Sequence, residues 1–214
     1  MIILSFKTYK QSTGDEAVKL CWIVKKVKEK TGVRIIPVVQ ATDIYRVKKE
    51  VGIEVWAQHI DPIDPDRHMG YISPFAVKQA GATGVVINHS EHKLTNEEVK
   101  KTLEKAKEYG LENIVIGHTQ ELVLKYDLLN PNFIAYEKED LIASGVSMLT
   151  KEQDNVKKLI SLVKHPLIIG AGISNPNDIK QALSLGAKGV ILSSAFVLSK
   201  DPEKTLIELA SAFL

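Results

Sequence analysis

Short apolar runs rich in β-branched residues alternate with polar stretches of helical periodicity along the chain. The helical stretches cover residues 14–30, 95–109, 151–164, 177–185 and 202–213. The apolar runs are residues 2–6, 34–39, 55–58, 84–88, 113–117, 133–137, 166–170 and 189–193. Because these runs are almost wholly apolar rather than alternating, they are typical of parallel strands buried on both faces. The pattern therefore predicts eight strands, each followed by a helix or a long loop.

Eight strand–helix units in 214 residues favour a closed barrel over an open sheet. We therefore predict the α/β class and a (β/α)8 barrel with pared-down helices, because the helices of the third and fifth strand–helix units are short. No linker rich in Ser or Gly and no low-complexity segment divides the chain, so residues 1–214 are expected to form a single domain.

Residues that favour helix ends stand where the pattern places those ends. Thr95 and Glu98 form a capping-box sequence, in which each residue satisfies a backbone amide of the other. Proline is favoured in the first turn of a helix, and glycine is favoured just past its last turn. The residues in these positions are Pro176, Pro202, Gly32, Gly110 and Gly186.

The charge distribution argues against a nucleic-acid or membrane-surface role. The chain has 28 Lys and Arg against 26 Asp and Glu, a net charge of +2, and the two signs are interspersed. No apolar run has the length of a transmembrane helix, and the apolar residues 1–4 are too few for a signal peptide, so we expect a cytoplasmic protein. Cys21 is the sole cysteine, which excludes an intramolecular disulfide, and its apolar neighbours predict a buried position.

Two loops suited to an anion follow the seventh and eighth predicted strands. The first carries Gly170 and Gly172, and the second carries Ser193 and Ser194. Glycine lets the backbone approach a ligand closely, and backbone N–H groups near a helix start favour an anion. Gly-x-Gly alone is equally typical of a tight turn, but barrels often bind phosphate at these two loops. We therefore predict a phosphorylated ligand.

Three side chains with acid–base or electrostatic chemistry stand at predicted strand ends. Lys7 follows the first strand, His89 follows the fourth, and Glu137 ends the sixth. A carboxylate can take a carbon-bound proton, an imidazole can polarise the adjacent carbonyl, and a lysine can stabilise the developing negative charge. Each residue alone fits a structural or surface role, but together at one face of a barrel they predict proton transfer beside a carbonyl.

The ordered motifs of the chain resemble those of the triosephosphate isomerase family in its compact archaeal form. The resemblance runs over nearly the whole chain and includes a specific His-Ser-Glu motif. The segments that carry it are residues 4–9 (LSFKTY), 57–62 (AQHIDP), 88–91 (NHSE), 135–137 (AYE) followed by 141–145 (LIASG), 170–174 (GAGIS) and 192–194 (LSS).

The resemblance implies a TIM barrel that interconverts glyceraldehyde 3-phosphate and dihydroxyacetone phosphate through an enediolate. It implies that Glu137 is the base, that Lys7 is its electrostatic partner, and that Glu91 supports the site from beneath. It also implies that His89 is a neutral electrophile, a role for which this family is the standard example.

The resemblance also implies which residues hold the substrate. Besides Lys7, these are Ser5 in the first motif, the phosphate-loop residues Gly170, Gly172, Ser193 and Ser194, and the lid residues Ala143, Ser144 and Gly145. No cofactor and no metal are implied, because the proton stays on protein and substrate. The family resemblance implies a homo-oligomer, a dimer or a tetramer, whose third loop reaches into a partner subunit. We expect no nucleic-acid or membrane partner.

The chain departs from the family pattern at several positions. Ser5 stands where the family normally has Asn, and a serine hydroxyl is shorter and has fewer donors. Lys138 replaces the proline of the first lid hinge, residues 143–145 replace Gly-Thr-Gly, and Ala195 replaces a glycine near the phosphate. These departures favour an alternative, a catalytically weak or inactive paralogue that binds a phosphorylated metabolite.

Two other enzyme classes, a metal enzyme and a Schiff-base aldolase, have sequence requirements that can be compared with the chain. A hard cation could bind the acidic loop that contains His59, Asp61, Asp64, Asp66 and His68, but its Asp-Pro pairs are typical of turns. A Schiff-base aldolase would need a lysine at the end of the sixth strand, where the chain has a glutamate.

Overall fold

Eight parallel strands close into a barrel in which each strand pairs with its neighbours in chain order. The computed structural model describes residues 1–142 and 147–214. The strands are β1 (Ile2–Ser5), β2 (Ile35–Val39), β3 (Trp56–Ala57), β4 (Gly84–Ile87), β5 (Glu112–Gly117), β6 (Phe133–Tyr136), β7 (Leu167–Ile169) and β8 (Gly189–Leu192). Pairing of Ile2 with Val190 closes the ring. The predicted (β/α)8 TIM barrel is confirmed. Seven of the eight predicted runs contain an observed strand, and β5 begins one residue before its predicted run.

Helices surround the barrel. Those described are α1 (Asp15–Thr31), α2 (Ala41–Glu50), α3 (Pro74–Gln79), α4 (Asn96–Glu108), α5 (Gln120–Asp127), α6 (Met148–Leu162), α7 (Pro176–Ser184), α8 (Ser194–Val197) and α9 (Pro202–Ser211), with 3-10 turns at Lys10–Ser12 and Glu139–Leu141. The third and fifth helices have six and eight residues, which confirms that they are short.

Most predicted boundaries differ from the observed ones by one to three residues, and two of them have a clear local cause. Helix α6 begins at Met148 rather than at residue 151, because the side chain of Ser147 accepts a hydrogen bond from the Leu149 amide and caps an earlier start. The eighth strand ends at Leu192 rather than at residue 193, since Ser193 precedes a short helix that begins at Ser194.

The residues predicted to favour helix ends do so in the structure. Thr95 Oγ1 accepts from the Glu98 amide at 3.2 Å, and a Glu98 carboxylate oxygen accepts from the Thr95 amide at 2.7 Å. Both prolines lie in the first turns of their helices. Glycine has no Cβ to oppose a positive φ, and φ is +69°, +62° and +105° at Gly32, Gly110 and Gly186.

Strand residues divide between two apolar layers. Ile2 and Leu4 point outward into the layer between strands and helices, while Ile3 points into the barrel interior. Burial on both faces explains why the strands read as continuous apolar runs. Cys21 is fully buried in the outer layer, as predicted. Across the described parts of the chain, we found no helix both long enough and apolar enough to cross a membrane.

Candidate active site

The structure brings together the three side chains singled out at strand ends. Lys7, His89 and Glu137 line one cavity of about 480 Å³ at the carboxyl ends of the strands. The Nε2 atom of His89 lies 3.7 Å from Oε2 of Glu137. Gly172, Ser193 and Ser194 line the same cavity from the loops after β7 and β8. The cavity therefore combines a carboxyl, an imidazole and an ammonium group with the loops expected to bind phosphate.

Backbone strain is concentrated around this cavity. Among the described residues, positive φ values outside glycine occur at Lys7, Asn88, Asn130 and Ala171, and all but Asn130 adjoin the site. Such conformations cost of the order of 1–3 kcal/mol each and persist where neighbouring contacts fix them. Here Gln58 Nε2 donates to the Lys7 carbonyl at 2.8 Å, and Asn88 Nδ2 donates to the Ile116 carbonyl at 2.9 Å.

His89 is held as a neutral imidazole. The backbone N–H of Glu91 donates to its Nδ1 at 3.1 Å, so Nδ1 is an acceptor and the ring proton lies on Nε2. Burial, together with smaller effects of nearby Lys7 and His118, lowers the pKa of His89 to about 4, against the opposing carboxylate of Glu91. The ring therefore presents an N–H donor towards Glu137 at neutral pH.

Glu137 is a buried carboxyl with an elevated pKa. Burial raises the pKa to about 7, although nearby Lys7 and the Ala171 amide favour the ionised form. Its Oε2 atom is buried and has no hydrogen-bond partner among the described residues. An added Cβ at Gly170 would lie 2.2 Å from Oε1, so the absence of a side chain there makes room for the carboxyl. A base with a pKa near neutrality is well matched to proton transfer.

The loops after β7 and β8 leave polar groups facing the cavity. Gly172 has a φ of +72° and lines the cavity beside Ser194. The hydroxyl of Ser193 is buried, and residues 1–142 and 147–214 offer it no hydrogen-bond partner. Gly170 does not line the cavity but packs behind the carboxyl of Glu137. Ala195, which stands where the family has glycine, also faces the cavity.

The structure places Ser5 at the wall between two cavities. Its side chain is nearly buried, and it lines both the first cavity and a neighbouring one of about 530 Å³. The neighbouring cavity extends past Gln58 and His59 towards His92. Ser5 therefore lies beside Lys7 and His89, where the family resemblance implies a substrate contact.

Glu91 lies at the rim of the site and not beneath it. Its Oε1 atom is 2.7 Å from the Nζ atom of Lys7, and its side chain is 57% exposed. An ion pair this exposed is screened by water and contributes little to stability. Its backbone amide, through the hydrogen bond to His89, is the better-defined contribution of this residue to the site.

Ala143, Ser144 and Gly145, which the resemblance assigns to the lid, lie outside the described residues. The residues before them are held by ion pairs. Lys138 Nζ lies 2.5 Å from Oε1 of Glu152, and Lys93 Nζ lies 2.7 Å from Oε2 of Glu139. Lys138, where the family has proline, is thus tied to helix α6.

The acidic loop uses its carboxylates for protein contacts. Asp61 accepts from the Ile72 amide and lies 3.2 Å from His59, while Asp64 pairs with Lys105. Within residues 1–142 and 147–214, no cluster of three or more His, Cys, Asp or Glu side chains has the arrangement of a metal site. The structure offers no support for the metal alternative.

Sequence reasoning missed His118, a nearly buried residue directly after β5. Its ring contacts the main-chain carbonyls of Asn88 and Glu137. A polar residue at the carboxyl end of a barrel strand was the available signal, but no motif marked it.

Comparisons with known proteins agree on one family. The family profile described as triosephosphate isomerase matches residues 1–212. A triosephosphate isomerase of Methanobacterium bryantii is 42% identical, covering 99% of this chain and 96% of the relative. Those of Methanothermus fervidus and Saccharolobus solfataricus are 39% and 38% identical, covering 98% and 100% of this chain and 96% of each relative.

The fold comparison points the same way. The crystal structure of triosephosphate isomerase from Bartonella henselae superposes with a TM-score of 0.74, covering 99% of this chain and 98% of that one. At 16% identity, this likeness supports the fold alone.

Proposed function

Since this chain belongs to the triosephosphate isomerase family, we propose that it interconverts glyceraldehyde 3-phosphate and dihydroxyacetone phosphate through an enediolate. The observation that carries the mechanism is the 3.7 Å approach of His89 Nε2 and Glu137 Oε2 at one cavity. One atom is an N–H donor and the other belongs to a carboxyl whose pKa is about 7. This pairing suits simultaneous removal of a carbon-bound proton and polarisation of the adjacent carbonyl.

The proposed reaction begins at Glu137. Its carboxylate removes a proton from the carbon beside the carbonyl, the C–H electrons form a C=C bond, and the carbonyl π electrons move to oxygen. His89 Nε2–H donates to that oxygen, and the ammonium of Lys7 stabilises its negative charge. Glu137 then returns the proton to the adjacent carbon, while the hydroxyl proton passes between the two oxygens. Atoms and electrons balance without a cofactor.

We propose that the loops after β7 and β8 bind the phosphate through Gly172, Ser193 and Ser194. This assignment is supported by Gly172, which lines the cavity, and by the buried hydroxyl of Ser193, which has no hydrogen-bond partner among the described residues. Ser5 would contact the substrate beside Lys7. The family resemblance also assigns substrate contacts to Ala143, Ser144 and Gly145, and Gly170 would make room for the base.

We also propose one domain over residues 1–214, a homo-oligomer of two or four copies, and a cytoplasmic location. The first is supported by the continuous core that unites all eight strands. Sedimentation of the purified protein would test the oligomer.

The experiment is conversion of glyceraldehyde 3-phosphate by protein purified from a host that lacks its own isomerase. Glu137→Gln keeps the shape of the side chain and removes the base. We expect activity in the parent and loss of about a thousandfold or more in the variant, since a general base contributes two to four orders of magnitude. Activity retained in Glu137→Gln would contradict the assignment of Glu137 as the base.

Ser5 and Ala195, both facing the cavity, favour the second candidate, a weakly catalytic or inactive protein that binds phosphorylated metabolites. Isothermal titration with a phosphorylated triose analogue separates the two. If the parent binds the analogue saturably but does not convert glyceraldehyde 3-phosphate, the second candidate is favoured.

A further inference from the structure

His118 bridges the ends of two strands that carry the proposed catalytic groups. Its Nε2 atom lies 3.0 Å from the carbonyl oxygen of Asn88, and its Nδ1 atom lies 3.3 Å from the carbonyl oxygen of Glu137. The side chain is nearly buried, so water does not readily replace these partners. The ring therefore spans β4 and β6 from its place at the end of β5.

Both partners of the His118 ring are acceptors. A peptide carbonyl has no proton to donate, so each ring nitrogen must supply an N–H to form its hydrogen bond. A neutral imidazole carries one N–H and can satisfy one of the two carbonyls, whereas an imidazolium carries two. The geometry therefore fits the doubly protonated ring. A neutral ring would leave one nitrogen lone pair facing a carbonyl oxygen.

The charges around His118 are mixed. Glu139 places Oε1 4.0 Å from Nδ1, while its other oxygen pairs with Lys93 at 2.7 Å. His89, which follows β4, interacts electrostatically with the His118 ring. The carboxyl of Glu137, which follows β6, lies 3.7 Å from His89. The carboxylate of Glu139 favours a positive ring, and Lys93 moderates that attraction.

We propose that His118, as an imidazolium, is a positioning residue that fixes the main chain of the base and of the electrophile relative to each other. The carbonyl of Asn88 is bonded directly to the nitrogen of His89, and the carbonyl of Glu137 belongs to the base itself. Two hydrogen bonds from one rigid ring therefore constrain both ends of the 3.7 Å approach. The inference rests on the proposed roles of His89 and Glu137.

A positive ring at His118 has a second consequence for the site. Burial is the main cause of the low pKa of His89, and nearby positive charge on Lys7 and His118 adds to it. The charge thus supports the neutral form of His89, which is the form that donates from Nε2. Loss of the charge and loss of the bridge would both weaken the same catalytic pair.

The first test reads the ring directly. The full-length protein is labelled with 15N-histidine, and the ring signals of His118 are assigned by their loss in His118→Gln. We expect protons on both ring nitrogens at neutral pH. A His118 ring with a single protonated nitrogen throughout the pH range in which the protein is folded and active would overturn the proposal.

The second test is kinetic and compares His118→Gln with His165→Gln. Glutamine retains an N–H donor for one carbonyl but no charge, and small misplacements of catalytic groups are costly, so we expect kcat to fall about tenfold to a hundredfold with little change in KM. A variant that had lost only a structural contact would lose stability without this split between kcat and KM. An unchanged kcat in His118→Gln would overturn the proposal.

His165 is the matched control because its ring also makes a structural contact, 2.8 Å from Asp127, away from the cavity. His165→Gln should change stability without changing kcat. Equal effects of both variants on kcat would refute a specific role of His118. Glu137→Gln is assayed in parallel: if it stays active, the proposed base is wrong, a failure separate from any result on the ring protons of His118.

Discussion

His89 Nε2 and Glu137 Oε2 approach to 3.7 Å across the mouth of the barrel, one residue following β4 and the other following β6. Their environments move their proton affinities in opposite directions. Burial lowers the pKa of His89 to about 4 and raises that of Glu137 to about 7. Near neutrality the imidazole is therefore an uncharged donor, while the carboxyl is partly ionised and able to act as a base.

The first prediction concerns the pH dependence of catalysis. Because the base must be ionised, kcat/KM should rise with pH and level off above about pH 7. His89 stays neutral down to about pH 4, so its ionisation should not add a second step to the profile of kcat/KM near neutral pH. The substrate phosphate also ionises near pH 6, so carbon NMR of labelled glutamate carboxyls should identify the Glu137 titration independently. A Glu137 titration near its ordinary value of 4.5 would contradict the prediction.

The second prediction concerns the effect of Glu137 on the pH dependence of stability. The pKa of Glu137 is raised from its ordinary value of 4.5 to about 7 in the folded protein. Its contribution to stability is therefore fully present below the pKa of the unfolded chain and is lost as pH rises through about 7. As pH rises between the two pKa values, the free energy of unfolding of the parent should fall by up to about 3 kcal/mol relative to that of Glu137→Gln, whose amide does not titrate. Thermal unfolding of both proteins from pH 4 to pH 8 measures this difference. If the Tm of the parent does not fall relative to that of Glu137→Gln as pH rises, the prediction is wrong.

The third prediction uses the glycine behind the base. In Gly170→Ala, the new Cβ would lie 2.2 Å from Glu137 Oε1, so the carboxyl must move. A displacement of about 1 Å can cost about a hundredfold, so kcat should fall by one to two orders of magnitude. Steady-state kinetics with the purified variant measures the change.

Gly84→Ala is the control for this substitution. Its Cβ would lie 2.4 Å from Trp56, which packs in the barrel interior and does not line the catalytic cavity. We expect a loss of stability of about 1–3 kcal/mol from overpacking, with kcat close to that of the parent. If both alanine variants lose kcat equally, the effect is general destabilisation and not movement of the base.

The barrel was predictable because its strands are buried on both faces. Residues such as Ile2 and Ile3 belong to different layers, yet both are apolar, so the strand run is continuous and easily recognised. Boundaries set by a single side chain were harder to predict. The cap at Ser147 moves the start of α6, but a serine before an apolar turn is common in sequences.

The candidate site was predictable where a motif marked it and not elsewhere. Lys7, His89 and Glu137 stand in recognisable segments at strand ends. The bridge made by His118 joins carbonyls from two other strands, and main-chain acceptors leave no signature in the sequence. The raised pKa of Glu137 likewise depends on burial by the surrounding structure.

The fourth prediction concerns Ser5, at which the chain departs from the asparagine of the family pattern. Ser5 lines the cavity beside Lys7 and His89, and its side chain is nearly buried. Asparagine is longer and carries two N–H donors on one nitrogen, so Ser5→Asn can reach a substrate oxygen on which negative charge develops. We expect kcat/KM to rise about tenfold, the factor that roughly 1.4 kcal/mol supplies, because hydrogen bonds to charged groups have about this strength.

Thr8→Asn provides the matched control for Ser5→Asn. Thr8 lies three residues after Ser5, in the connection that follows β1, and lines the neighbouring cavity but not the one that contains Glu137. The same amide placed there should leave kcat/KM within about twofold, since an exposed polar substitution has little effect. A gain at Ser5 alone would attribute the missing interaction to that position. No gain at Ser5, with Glu137→Gln still inactive, would mean that Lys7 and His89 already stabilise the oxygen without it.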